Sequence, residues 1–237
     1  MKQLLLMPFI LLMLGVGASA NSELPDQFST QHRNLKSFSA ISLQIPAEVN
    51  LIRGDFSISI SASEEMLDKV VTEVHNGELV IRFSKNGYDQ VTEPVKIEIS
   101  MPRVLALEIN GSGSIHSQSE LSSATLSLEI NGSGNINLSG LKTETLSATV
   151  NGSGTIQNLK GTTNSLNLQV NGNGEINIPD LTGKTVETSI TGSGKICTGA
   201  TESLHAEIAG SGDVRYAGSP LKKNVEIVGT GTVTAMN

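Results

Sequence analysis

The sequence predicts an all-β fold, a parallel β-helix (solenoid) with Gly-x-Gly corners and roughly 20 residues per coil. Three observations predict it. Seven segments repeat one pattern of alternating apolar residues ending in a glycine pair. The pair recurs at a nearly constant interval. The chain also lacks the rings on which an ordinary globular core relies: 237 residues hold no Trp, two Tyr and five Phe, against 24 Gly.

The elements follow in chain order. Residues 1–20 read as a signal peptide. Lys2 supplies a positive start, residues 4–14 are an apolar run too short to span a bilayer, and Ala18-Ser19-Ala20 is a small-residue cleavage site. The mature chain is expected to begin at Asn21. Position 21 is not Cys, so no lipid anchor is expected, and no later segment is apolar enough to span a membrane. Residues 21–34 are polar and read as a flexible leader.

Residues 35–104 read as N-terminal β layers that cap the solenoid, because a stack of repeats needs a closed end. Residues 41–51 and 56–61 alternate as strands do. Ser63-Glu64-Glu65 opens a capped turn of helix. Residues 70–74 and 78–83 flank His75-Asn76-Gly77 as a hairpin. Lys85-Asn86-Gly87-Tyr88 is a loop, and residues 95–100 lead into the first repeat.

Residues 105–237 form the repeat. The first Gly of each pair stands at 111, 132, 152, 172, 192, 210 and 229, in steps of 21, 20, 20, 20, 18 and 19 residues. Alternation before the pair marks a strand with one buried face. Two glycines one residue apart mark a sharp corner. Twenty residues are too few for a four-stranded propeller blade but suit one coil. The segments 117–125 and 139–145 read as polar loops that tolerate length change.

Stacking places equivalent residues in columns about 4.8 Å apart. One inward column is Ile109, Ile130, Val150, Val170, Ile190, Ile208 and Ile227. A second is Ile115, Ile136, Ile156, Ile176, Ile196, Val214 and Val233. Each fully buried member stabilises the fold by about 1.5–3 kcal/mol, so no aromatic residue is required. A third column (Leu107, Leu128, Ala148, Leu168, Thr188, Ala206, Val225) weakens toward the C-terminus. Asn110, Asn131, Asn151 and Asn171 precede the corner and read as a hydrogen-bonded ladder. The rival reading, that the Asn-Gly-Ser sequons at 110, 131 and 151 carry glycans, is set aside for a bacterial chain.

Three stretches now carry a resemblance: Asn-Gly-Glu-Leu-Val-Ile-Arg-Phe at 76–83, Val-Lys-Ile-Glu-Ile-Ser-Met-Pro at 95–102, and the serial Ile-Asn-Gly-Ser-Gly motifs. Over roughly residues 34–233 the chain resembles the bacterial head GIN domain family, a group of auto-transporter-type adhesins. The resemblance implies a right-handed β-helix distantly like pectin lyases, with the glycine motifs as tight turns between sheets. It also implies a role in adhesion or envelope assembly, which fold analogy alone does not establish.

Composition and columns narrow the chemistry. A formal charge of -7, one unit more negative without Lys2, disfavours nucleic acid and anionic lipid. The outward column Glu108, Glu129, Thr149, Gln169, Ser189, Glu207, Glu226 pairs carboxylates in adjacent coils at Glu108/Glu129 and Glu207/Glu226. Such spacing meets the need of a retaining glycosidase, but no column of Lys, Arg or Asp stands beside it to hold an acidic sugar. A solvated sheet face is the reading adopted. Glu175, Lys195 and Asp213 alternate in sign along another column, as register-fixing pairs do. His32, His75, His116 and His205 are scattered, with no metal-ligand spacing. His116 and Cys197 share a column but lie four coils apart, about 19 Å, too far for a nucleophile pair. His205 neighbours Glu187, with no serine nucleophile marked. Cys197 has no internal partner, and its register favours exposure. The glycine motifs lack the lysine and helix of a phosphate loop, and the acids of a calcium-binding nonapeptide.

No catalytic, metal or cofactor-binding residue is therefore assigned, and the chain is read as not an enzyme. The expected function is an exported, non-enzymatic envelope or surface module, in adhesion or assembly of envelope complexes. The expected location is the periplasm or surface of a Gram-negative-type bacterium. The partner would be an envelope protein, a glycan or a second copy of the chain. The alternatives are an extracytoplasmic carbohydrate-binding protein with Tyr88 or Tyr216 exposed, and a polysaccharide lyase- or hydrolase-like enzyme using Glu108 and Glu129.

Overall fold

A computed structural model describes residues 28–84 and 94–236. The stretch at 1–20 that reads as a signal peptide and the loop at 85–88 lie outside the described residues. In chain order the elements are β1 (Phe28–Arg33), β2 (Ala40–Leu43), β3 (Ala47–Arg53), β4 (Ser57–Ser63), α1 (Glu64–Lys69), β5 (Val70–His75), β6 (Glu78–Phe83) and β7 (Val95–Met101). The corner repeats supply β8 (Ala106–Gly111), β9 (Ser114–Ser122), β10 (Thr125–Gly132), β11 (Asn135–Lys142), β12 (Thr145–Gly152) and β13 (Thr155–Gln157). They continue as β14 (Gly161–Gly172), β15 (Glu175–Gly192), β16 (Lys195–Gly210), β17 (Asp213–Ala217), β18 (Lys222–Gly229) and β19 (Thr232–Ala235).

The repeats stack as a parallel β-solenoid. Before the corner, Ile109, Ile130, Val150, Val170, Ile190, Ile208 and Ile227 are successive partners in parallel register. After it, Ile115, Ile136, Ile156, Ile176, Ile196, Val214 and Val233 are likewise in register. Both aliphatic columns are buried until the last coil, where Ile227 is 40% exposed. Each coil also has a third side that the sequence reading took for loop. Leu121, Leu141, Gly161 and Leu181 pair along it, and the three leucines are buried. A single inward Leu between polar residues has no alternation to reveal it, so only the stack exposes its role.

The corner explains both glycines. The first of each pair has φ between 121° and 138°, a region that L side chains rarely adopt. Its carbonyl then accepts the N–H of the next coil's following residue, as Gly152 does from Asn173 at 2.9 Å. A Cβ on Gly172 would lie 2.6 Å from that same Gly152 oxygen. The second glycine has another reason. A Cβ on Gly134 would lie 2.6 Å from the Ile109 methyl of the preceding coil and 2.8 Å from the Gly113 carbonyl. From Gly132 onward the corner is therefore too tight for a side chain at either position, whereas at Gly111 only the positive φ demands glycine.

In the N-terminal part, chain order and stacking order differ. β2 pairs in parallel with both β6 and β8, and β3 with both β7 and β9. The β2–β3 layer thus lies between the β6–β7 layer and the first glycine-cornered coil. Outside it, β4 runs antiparallel to β7, and β5 forms an antiparallel hairpin with β6. α1 begins where Ser63 Oγ accepts the Met66 N–H, and buries Met66 and Leu67. The antiparallel strands end the parallel stack.

The stretch expected to be a flexible leader is ordered in its second half. β1 pairs with β4 over all six residues. Its polar sequence gave no strand signal, but an antiparallel ladder on an edge needs no apolar alternation. Thr30 Oγ1 meets Ser61 Oγ at 2.8 Å, and Arg33 donates to the carbonyls of Leu67 and Val70 beside α1.

Candidate functional site

Outward faces are where a solenoid meets a partner, and the first side carries the most regular one. The Asn ladder forms there. Asn131 Nδ2 donates to Asn110 Oδ1 at 3.0 Å, Asn151 to Asn131 at 2.8 Å, and Asn171 to Asn151 at 2.8 Å. The amides of Asn110 and Asn131 also donate to Glu108 and Glu129 in their own strands, at 2.7 and 3.1 Å. Parallel register puts Glu108 beside Glu129, as expected. Both carboxylates are thus anchored to the ladder, an arrangement that holds them as part of the face. A glycan on Asn131 would break it.

Lower on the same side, four polar groups form a chain. His205 Nε2 meets Glu207 at 2.9 Å, Asn224 Nδ2 donates to His205 Nδ1 at 3.2 Å, and the same amide reaches Glu226 at 3.2 Å. This geometry requires the Nε2–H tautomer of His205. Glu187 is its partner in register, but the ring binds Glu207, two residues along its own strand. Both ring nitrogens are occupied by carboxylate and amide, so the imidazole is not poised to activate a hydroxyl.

The second side carries Glu175, Lys195 and Asp213 as successive register partners, with Cys197 and Arg215 in the neighbouring column. They line a cleft of about 200 Å³. Exposure was expected for Cys197, yet it is half-buried with its Sγ 3.3 Å from Met236 Sδ. Met236 follows the last strand and folds over the column, which no repeat pattern foretells. Burial pushes the Cys197 thiol up; Arg215 opposes this and Glu175 adds to it. His116 and Cys197 are four coils apart in register. A wider cleft of about 490 Å³ lies near the cap, lined by Glu48, Asn50, His116, Gln118 and Asn137.

The third corner holds threonines that the sequence reading did not single out. Thr143 Oγ1 donates to the carbonyls of Ala124 and Thr145, and Thr163 Oγ1 to those of Glu144 and Ser165. Their spacing of 20 residues was the available signal. These hydroxyls satisfy corner carbonyls and serve the fold. Tyr216, considered as an exposed sugar platform, is instead buried, with Lys223 Nζ 5.8 Å over its ring. Tyr88 lies outside the described residues.

Among the described residues no group of three or more His, Cys, Asp or Glu side chains is placed to hold a metal ion. No helix among them is long and apolar enough to cross a membrane.

Residues 37–220 match a family model described as "Putative auto-transporter adhesin, head GIN domain". Among solved structures, a "putative adhesin" from Bacteroides fragilis matches with a TM-score of 0.83 and 25% identity, over 89% of this chain and 98% of that one. A "Putative lipid binding protein" from Parabacteroides distasonis gives 0.73 and 24%, covering 90% and 98%. A "putative adhesin" from Parabacteroides merdae gives 0.71 and 22%, covering 90% and 98%. No curated protein matches the chain.

Proposed function

The chain belongs to the head GIN domain family, and from that premise we propose that it is an exported, non-enzymatic envelope or surface module that works by adhesion. It presents wide polar faces to a partner rather than converting a substrate. The observation that carries this reading is the fate of the reactive groups. Glu108 and Glu129 are tied into the Asn ladder, His205 is held by Glu207 and Asn224, and Cys197 is covered by Met236. Each of these four groups is already engaged in holding the solenoid's surface. What remains outward is a rigid array of amides, hydroxyls and carboxylates at the coil spacing, suited to binding by area.

A carbohydrate partner is the second reading. The cleft at Glu48, Asn50, His116, Gln118 and Asn137 favours it, because amide and carboxylate groups converge there on one concave surface. Burial of Tyr216 removes one of the two tyrosines that would give it aromatic support.

The test is a binding screen of the purified mature protein against a glycan array and fractionated envelope, with mass spectrometry of the samples. Binding to an envelope component with every chain intact is the expected result. Glycan binding lost on Asn50→Ala and Asn137→Ala would favour the second reading. Cleavage of any glycan that is lost on Glu129→Gln would overturn the non-enzymatic reading.

A further inference from the structure

Among the described residues the two ends of the stack differ. At the N-terminal end, α1 and the antiparallel strands β1, β4 and β5 close the stack. At the other end, β18 pairs only with β16 among the described residues. The apolar residues in and just before it are correspondingly bare: Leu221 is 91% exposed, Val228 77% and Ile227 40%. Ile227 belongs to the aliphatic column that every earlier coil buries. The free edge follows from the ladder pattern. Ser127, five residues before its glycine, donates its N–H back to Leu105 of the preceding coil. Asn224 holds that position in the last coil. The backbone groups of Lys223, Val225 and Ile227 therefore point to the free side, a template for another strand.

The strand's sequence is complementary to itself. In an antiparallel pairing centred on Asn224, residue pairs whose numbers sum to 448 face each other. Lys222 then opposes Glu226 of the second copy, and Glu226 opposes Lys222. Leu221 opposes Ile227 twice, and Asn224 opposes itself. Lys223 and Val225, whose N–H and C=O groups are free, form the hydrogen-bonded pairs. Inward residues meet inward residues and outward meet outward, as a sheet continued across the junction demands. Opposite charges across from one another favour this register.

We propose that β18 is a homodimer interface: two copies join end to end by antiparallel pairing of residues 221–227 about a two-fold axis through Asn224, making one continuous sheet. The contact is isologous, so it closes at two copies and leaves both capped ends outward. Doubling the length of the polar faces gives two equivalent surfaces per particle. The inference is independent of which partner those faces bind, and it fails or holds separately from the adhesion reading.

The test is sedimentation of the purified chain with three kinds of variant. The parent protein is expected to sediment as a dimer. Val225→Pro removes one free-edge N–H without touching the bonds to β16, and is expected to give a folded monomer with the parent's circular dichroism spectrum. Lys222→Glu places like charges opposite each other twice and is expected to weaken dimerisation about tenfold. Adding Glu226→Lys to it restores the parent affinity. In a Cys197→Ala background, Asn224→Cys is expected to oxidise to a covalent dimer, since a non-hydrogen-bonded antiparallel pair sits at about 4.5 Å between Cα atoms. Glu226→Cys is expected not to link. A parent chain that is monomeric at its highest soluble concentration overturns the proposal. So does a dimer indifferent to Val225→Pro and Lys222→Glu, or linkage through Glu226→Cys in place of Asn224→Cys.

Discussion

Gly111 and Gly172 occupy the same corner position, yet replacing them should have different costs, and the difference measures how tightly the coils stack. Their φ values are 129° and 124°, so alanine at either is strained alike, by about 1–3 kcal/mol. Beyond that they diverge. A Cβ on Gly111 meets nothing within 4 Å, because the β2–β3 layer beside it turns through Gln44-Ile45-Pro46 instead of a glycine pair. A Cβ on Gly172 would lie 2.6 Å from the Gly152 carbonyl oxygen. Relief requires the two coils to part locally by about half an ångström, which loosens the 2.9 Å bond from Asn173 N–H to that oxygen. Losing the bond and its packing adds about 1–3 kcal/mol. Urea unfolding with constant slope should therefore place Gly172→Ala about 2 kcal/mol below Gly111→Ala. Gly140→Ala serves as the control: its Cβ would find ordinary contacts at 3.5 Å with Glu120, and its loss should be near zero. Equal losses at 111 and 172 would refute the claim that coil-to-coil contact, and not φ alone, selects these glycines.

Three further expectations follow from the same structure. Asn151 donates to Asn131 and accepts from Asn171 at 2.8 Å each, whereas Asn171 donates to Asn151 at 2.8 Å but accepts only a long 3.4 Å bond from Gln169; Asn151→Ala should cost about 1–2 kcal/mol in urea unfolding, and Asn171→Ala less. Hydrogen bonds from His75 and then Arg82 hold the Glu73 carboxyl below the usual Glu range. Its contribution is therefore fully present above the ordinary value of about 4.3 and is lost as pH falls through the lower folded one; unfolding midpoints measured from pH 6 to pH 3 should fall less for Glu73→Gln than for the parent. Burial raises the Cys197 thiol, so alkylation by iodoacetamide at pH 7.5 should be slower than for a free thiol, and Met236→Ala should speed it; equal rates would show that Met236 does not cover the sulfur.

What the sequence could disclose was set by translation symmetry. Where each coil repeats its neighbour, a residue's environment is written in the chain at a fixed interval. The corner glycines, both aliphatic columns and the Asn ladder could therefore be read directly, down to the register that separates His116 from Cys197. Where a residue's environment comes from a segment outside the period, the interval says nothing. β1 is a strand because β4 offers an edge, Leu67 of α1 and Val70 of β5 offer carbonyls to Arg33, and neither fact is local to Phe28–Arg33. Cys197 is covered by Met236, and Tyr216 by Lys223, both from the last coil. His205 turns to Glu207 rather than Glu187 because side chains two apart on one strand share a face and can meet as readily as register partners do. The insertion of the β2–β3 layer between β6–β7 and β8–β9 is the extreme case, since it reverses the order that a simple stack would follow. Function divides along the same line. A periodic face is legible but uniform, so no residue on it announces a partner, while the departures from the period, at the cap, the cleft by His116 and the bare edge of β18, are where recognition has something particular to hold.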